Sequence, residues 1–217
     1  MIKNNYIIYA HRGASAYAPE NTKIAFEKAL ELNANGIELD LQKTKDGKIV
    51  IFHDDVIDNK SNGKGKISDY TYQELLNFDF GSWFDSKYKN EKLKVLGIEK
   101  DTLDIINKYK IHDNIYITSF LYETLENTRK LNKAIKISWL VSKINKENID
   151  KLLKIQGQQI CPKAELVSKE DIDLANKNGL GVRLWGIYNE EIMKKVYKFN
   201  IEGMTVNFPD KLYELIR

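Results

Sequence analysis

Three short segments near the start of the chain hold residue types that chemistry needs. The apolar stretch Tyr6–Ala10 runs into His11–Arg12–Gly13, Glu38 and Asp40 stand two apart within Gly36–Leu41, and Val50–Ile51–Phe52 leads to His53–Asp54. Side chains alternate along a strand, so Glu38 and Asp40 are expected on one face and Ile37, Leu39 and Leu41 on the other. Two carboxylates on an inner face are costly unless paired or bound to a cation. Their hard oxygens suit Ca2+ or Mg2+. Histidine titrates near neutral pH and can take up or give up a proton. Arginine presents a planar fork to two oxygens of an anion. Near strand ends, this set is a candidate acid/base and metal site. Each member also has a plainer reading. A Glu-x-Asp pair is more often a solvated strand face, and a strand-end histidine is usually structural or exposed.

Elements of two kinds alternate around these residues. Strand-like runs are predicted at 6–11, 36–41, 49–53, 114–119, 135–141, 158–161, 181–187 and 201–206. Helical patterns are predicted at 21–34, 101–110, 121–132, 146–155, 169–178 and 190–199, with a last helix starting at Pro209. Thr71 and Glu74 form a capping-box signature, Asn145 and Ser168 are predicted N-caps, and Gly179 follows a helix end. Repeated βα units favour a parallel sheet, open or closed. No Gly-x-Gly-x-x-Gly follows the first strand and no P-loop motif occurs, which favours the closed barrel. At 217 residues, a (β/α)8 barrel would be trimmed relative to the usual ~250. No composition shift marks a boundary, so one domain over 1–217 is expected.

Composition excludes several classes. Lys and Arg number 34 against 31 Asp and Glu, and the only arginines are Arg12, Arg129, Arg183 and Arg217. That is not the concentrated basic face of a nucleic-acid binder. No apolar run approaches a membrane span, and the five apolar residues near the N-terminus are too few for a signal peptide. The lone Cys161 points to a reducing compartment, so a cytoplasmic protein is expected. His112 reads as an exposed loop residue, Cys161 and Trp139 as core, and Lys60–Lys66 as a solvated loop. Phe78, Phe80, Trp83 and Phe84 read as buried beneath a long loop.

Ala10–His11–Arg12–Gly13–Ala14–Ser15, Pro19–Glu20–Asn21–Thr22, Gly36–Ile37–Glu38–Leu39–Asp40 and Ile51–Phe52–His53–Asp54, in this order and spacing, resemble the glycerophosphodiester phosphodiesterase family. The likeness continues through Asn62–Gly63–Lys64–Gly65, Gly81–Ser82–Trp83–Phe84, Ile117–Thr118–Ser119–Phe120, Trp185 and Val206–Asn207–Phe208–Pro209, nearly the whole chain. The resemblance implies a (β/α)8 barrel with a small insertion after the second strand, about 43–84. It implies metal-dependent hydrolysis of small glycerophosphodiesters to an alcohol and sn-glycerol 3-phosphate, with Ca2+ or Mg2+ as cofactor. His11 and His53 match the acid/base pair, Glu38 and Asp40 metal ligands, Arg12 a phosphate-binding arginine, and Trp185 an aromatic at the substrate mouth. Which histidine is the acid stays open.

The match departs from the family after Trp83–Phe84. Family members carry there a helix start and a strand that supplies a third metal carboxylate and a phosphate-binding lysine. In one reading Val95–Glu99 is that strand and Glu99 the carboxylate; in another Leu96–Lys110 is a helix and Glu99 a surface residue. Barrel closure favours the first. The lysine is absent from its usual spacing in both. Two other readings therefore stand beside hydrolysis of glycerophosphodiesters. One is a catalytically impaired module that binds phosphodiesters. The other is a phosphodiesterase of the lysophospholipase D or sphingomyelinase D kind.

Overall fold

The computed structural model describes residues 6–93, 95–96 and 115–217. Contacts gather these into two compact units, 6–9 with 115–206 and 211–217, and 10–93 with 95–96 and 207–210. In chain order the elements begin with β1 (Ile7–His11), α1 (Lys23–Glu31), β2 (Gly36–Glu38), β3 (Leu41–Lys43), β4 (Ile49–Ile51), α2 (Tyr72–Leu75) and β5 (Val95–Leu96). They continue with β6 (Tyr116–Ser119), α3 (Tyr122–Leu131), β7 (Lys136–Val141), α4 (Lys146–Lys154), β8 (Gln159–Pro162), α5 (Lys169–Lys177), β9 (Gly181–Ile187), α6 (Glu190–Val196), β10 (Gly203–Val206) and α7 (Pro209–Ile216). One sheet has the order β2-β1-β10-β9-β8-β7-β6, and a second has the order β3-β4-β5. Neighbours from β6 to β10 pair in parallel. This is a trimmed (β/α)8 barrel fold, as the βα alternation predicts. Among the described residues no helix is long and apolar enough to cross a membrane.

In the first unit the starts of α4, α5 and α6 are capped by side chains. Asn145, Ser168 and Asn189 accept from the backbone N–H three residues on, which satisfies a donor that the helix itself cannot. The buried pairs Ile149/Leu152, Ile172/Ala175 and Met193/Val196 each lie three apart, on one helix face. Trp139 and Cys161 are buried, as expected.

The second unit holds the insertion, which builds a core of its own. The β3–β4 hairpin pairs Leu41 with Ile51 and Lys43 with Ile49. Val50, Phe52, Ile57, Ile67, Leu75, Phe80 and Leu93 pack together, with Phe52 edge-on to Phe80 at 5.7 Å. The Thr71–Glu74 capping box forms and starts α2.

Three expectations need correction. The strand predicted over Gly36–Leu41 breaks at Leu39–Asp40, because the Asp40 carbonyl accepts from Phe52 N (3.1 Å) as the chain leaves β2 for the hairpin. Val95–Leu96 pair antiparallel with β4, Val95 opposite Val50, so they extend the small sheet and are not a barrel strand. Trp83 is 38% exposed, unlike Phe80; its indole N–H donates to the Phe80 carbonyl. Glu99, His112 and the helix expected at 101–110 lie outside the described residues.

Candidate active site

All the expected site residues of the first 55 positions fall in the second unit, at strand ends. His11 is the last residue of β1 and Glu38 the last of β2. Asp40 sits in the break before β3, and His53 two residues past β4. After His11 the chain turns sharply, with Arg12 at φ 57° and Gly13 at φ 84°. Gly13 N donates to the Ala10 carbonyl, and Ala14 N to the Ala25 carbonyl. A Cβ on Gly13 would lie 2.7 Å from the Ala25 carbonyl carbon. Gly13→Ala is therefore expected to lower stability by at least about 1–3 kcal/mol, from overpacking at a positive φ. Denaturant unfolding of the two proteins checks this; equal midpoints at equal slope would refute it.

The turn brings Arg12 among carboxylates. Arg12 N donates to Glu38 Oε2 (3.3 Å) and Arg12 Nη1 to Glu20 Oε1 (2.9 Å). Arg12 Nε lies 3.1 Å from Asp40 Oδ2, an ion pair without hydrogen-bond alignment. The buried Asn21, itself at φ 58°, ties this together. Its N donates to the Arg12 carbonyl (2.9 Å), its amide Nδ2 to Asp40 Oδ2 (3.2 Å), and its Oδ1 accepts from Asp40 N (3.4 Å). Asparagine tolerates this left-handed backbone better than most residues, which suits it to the position.

The two histidines are held differently. His11 Nδ1 lies 2.7 Å from Asn207 Oδ1. An amide oxygen only accepts, so Nδ1 carries the proton and Nε2 keeps its lone pair. Burial, then the Arg12 charge, holds the His11 ring below the ordinary imidazole range, against the Asn207 hydrogen bond and the charges of Asp40 and Glu20. His53 Nδ1 lies 2.5 Å from Asp54 Oδ1 and its ring is more exposed. Burial raises the Asp54 carboxyl, but the hydrogen bonds with His53 and Lys60 and the Lys60 charge outweigh it and bring Asp54 below its usual range. Gln42 Nε2 donates to the His53 carbonyl (3.0 Å) and steadies the loop.

Against this geometry, the model of the Glycerophosphoryl diester phosphodiesterase family matches residues 11–102 and 94–211. The chain belongs to this family. It is accordingly a phosphoric diester hydrolase. It is 30% identical to the glycerophosphodiester phosphodiesterase of Caldanaerobacter subterraneus subsp. tengcongensis, over 97% of this chain and 98% of that protein. It is 27% identical to a glycerophosphodiester phosphodiesterase of Bacillus subtilis, over 95% of this chain and 85% of that protein. The glycerophosphodiester phosphodiesterase structure from Agrobacterium tumefaciens superposes with a TM-score of 0.85 at 20% identity, covering 96% of this chain and 99% of that one. An Oleispira antarctica phosphodiesterase, solved in complex with the product sn-glycerol-3-phosphate, gives 0.84 at 22% identity, covering 97% and 96%. At such identities the structural likeness speaks for the fold.

Within this family member, Arg12, Glu38 and Asp40 meet directly, while His53 joins them through Asp54, Lys60 and Glu20. Trp185 belongs to the first unit, where its Nε1 donates to the Val141 (3.1 Å) and Cys161 (3.0 Å) carbonyls and its ring meets Phe120 edge-on. Glu20, Asn21, Lys60 and Asn207 had no assigned role from sequence. Asn207 follows the last residue of β10, so the strand-end rule that singled out His11 would have found it. Lys60 corrects an expectation. Its ammonium lies 2.6 Å from Glu20 Oε1 and 3.2 Å from Asp54 Oδ2, and the side chain is only 17% exposed. It does not belong to a solvated loop.

Among the described residues no three histidine, cysteine or acidic side chains gather as a metal site. Glu38 and Asp40 nevertheless suit a hard cation that takes one or two protein carboxylates and leaves the other positions to substrate and water. Asp40 Oδ2 meets Arg12 Nε and accepts from Asn21 Nδ2. Arg12 and Lys60 face four carboxylates, Glu20, Glu38, Asp40 and Asp54.

Proposed function

We propose that this chain hydrolyses glycerophosphodiesters to an alcohol and sn-glycerol 3-phosphate, with Ca2+ or Mg2+ as cofactor. The observation that carries the reading is Arg12, presented by the β1 turn and held by Glu20 and Asp40 beside Glu38. A guanidinium fixed on two carboxylates is preorganised, so little reorganisation opposes its use on a phosphate oxygen. Glu38 and Asp40 would hold the cation, which would offset charge on the phosphodiester as it builds in the transition state. His11 is kept neutral by burial and by Arg12, which suits a base. Its Nε2 takes the proton of the attacking hydroxyl: water gives sn-glycerol 3-phosphate directly, whereas the neighbouring glycerol hydroxyl gives a cyclic phosphate that a water must then open. His53 then serves as the acid in its protonated form: Asp54 holds Nδ1–H and so orients the ring, and the Nε2 proton passes to the leaving alkoxide. Trp185 is assigned to substrate contact by its position in the family pattern. The family membership and the product named for the Oleispira antarctica structure support this choice of substrate. The lone Cys161, buried and unpaired with any other cysteine, supports a reducing, cytoplasmic location. The chain is taken to act as a single domain with the 43–84 insertion attached.

Glycerophosphocholine or glycerophosphoethanolamine incubated with the purified protein is expected to release sn-glycerol 3-phosphate. Chelator should stop the release, and added Mg2+ or Ca2+ should restore it. No turnover of any diester across several divalent ions would overturn the reading. Calorimetric binding without turnover would then indicate the impaired module, and cleavage only of acylated diesters would indicate a lysophospholipid enzyme.

A further inference from the structure

We propose that Lys60 is a positioning residue of this site, clamping Glu20 to Asp54 and so fixing Arg12 on one side and His53 on the other. What the clamp serves rests on the function proposed above; the clamp itself rests on geometry. One ammonium bridges two carboxylates from distant segments, Glu20 Oε1 at 2.6 Å and Asp54 Oδ2 at 3.2 Å. The same Glu20 oxygen accepts from Arg12 Nη1 at 2.9 Å, and the other Asp54 oxygen meets His53 Nδ1 at 2.5 Å. An unbroken path of polar contacts thus runs Arg12, Glu20, Lys60, Asp54, His53.

Among the described residues Lys60 stands apart from the other paired lysines. Surface pairs such as Lys23–Glu27 are more than half exposed on both sides, where screening and side-chain entropy leave them little value. Lys60 is mostly buried, and its Nζ lies over the Trp83 ring, 5.8 Å from the centroid. Its backbone is anchored to the insertion core. Lys60 N and Ser61 Oγ both donate to the carbonyl of the fully buried Ile57, and Gly63 N donates back to Ser61 Oγ. A site residue on such a platform keeps its geometry better than one on a free loop. Because the ammonium is already committed to two carboxylates and a ring, its role is to hold side chains in place. It also offsets negative charge beside an anionic substrate, so its loss should weaken substrate binding as well as turnover.

The test uses the full chain, uniformly labelled on histidine nitrogen, and compares wild type with Lys60→Met, Lys60→Arg, Glu20→Gln and Lys64→Met. Only three histidines need assignment, and His53→Gln identifies the His53 signals. In wild type, His53 should show a single tautomer with the proton on Nδ1. Lys60→Met should mix the tautomers, and Lys60→Arg should restore the wild-type pattern, since a guanidinium can also bridge two carboxylates. Glu20→Gln should move the His53 signals although Glu20 does not touch His53. This second variant decides the matter if Lys60→Met does not fold. In steady-state assays with glycerophosphoethanolamine and Mg2+, Lys60→Met should lower kcat about 10–100-fold, the scale of a misplaced catalytic group, and raise KM. Lys60→Arg should recover most of kcat, and Lys64→Met should match wild type. A His53 spectrum unchanged in both Lys60→Met and Glu20→Gln would overturn the proposal. If wild type itself hydrolyses no diester, the functional reading fails, and the nitrogen spectra still decide the clamp.

Discussion

His11→Ala is expected to lower kcat about 10²–10⁴-fold with a smaller change in KM, the range for removing a positioned proton-transfer group. The reason lies at the end of β1. His11 Nδ1 is bound to Asn207 Oδ1 at 2.7 Å, so the free nitrogen of the neutral ring is Nε2. Burial first, and the Arg12 charge second, hold the ring below its ordinary range. A base must be neutral to act, and the neutral fraction falls as pH drops through the folded-state value. Because that value is lowered, the acidic limb of kcat/KM should lie below the ordinary imidazole value of ~6.5. His53→Ala should cost kcat on the same scale. The double variant should be little worse than either single one, since acid and base act as a unit. A His11→Ala enzyme within threefold of wild type would exclude His11 from proton transfer. An acidic limb above the ordinary value would exclude it as the base.

How much of this was legible in the sequence depended on whether local pattern or tertiary closure decided the matter. The strand-end residues His11, Glu38 and His53 were legible because charged and titratable groups are out of place beside Ile8, Ala10, Val50 and Phe52, all buried. The helix caps at Thr71, Asn145 and Ser168 were legible because capping is set by residues three apart. Lys60 and Glu20 were not. They are 40 positions apart, and a lysine beside Ser61, Asn62 and Lys64 carries every mark of a solvated loop until the insertion core folds it inward. The antiparallel pairing of Val95–Leu96 was hidden for a different reason. A short apolar run suits either sheet equally, and only the partner, here Ile49–Val50, decides between them. The break at Leu39–Asp40 follows from that same hairpin, which draws the Asp40 carbonyl to Phe52 N. Asp40 thereby falls between two strands, yet it still meets Arg12 as Glu38 does.

That break has consequences for the paired carboxylates, and it makes their variants separable. Glu38→Gln is expected to reduce Mg2+ or Ca2+ affinity by more than the ~10–100-fold seen for outer-shell partners, because it removes a ligand charge outright. It should leave Arg12 nearly in place, since an amide oxygen can still accept from Arg12 N. Activity at limiting cation should collapse, and excess cation should recover part of it. Asp40→Asn should be worse in kind. Asp40 Oδ2 carries the 3.1 Å ion pair to Arg12 Nε and accepts from Asn21 Nδ2, so losing its charge loosens the guanidinium as well as the cation. Cation affinity and substrate KM should then both deteriorate, and excess cation should not restore KM. Titration calorimetry with each cation, paired with KM measured at saturating cation, separates the two variants. Wild-type cation affinity in Glu38→Gln would remove Glu38 from the ligand set. A KM for Asp40→Asn that returns to the wild-type value at saturating cation would show that Asp40 does not hold Arg12 for the substrate.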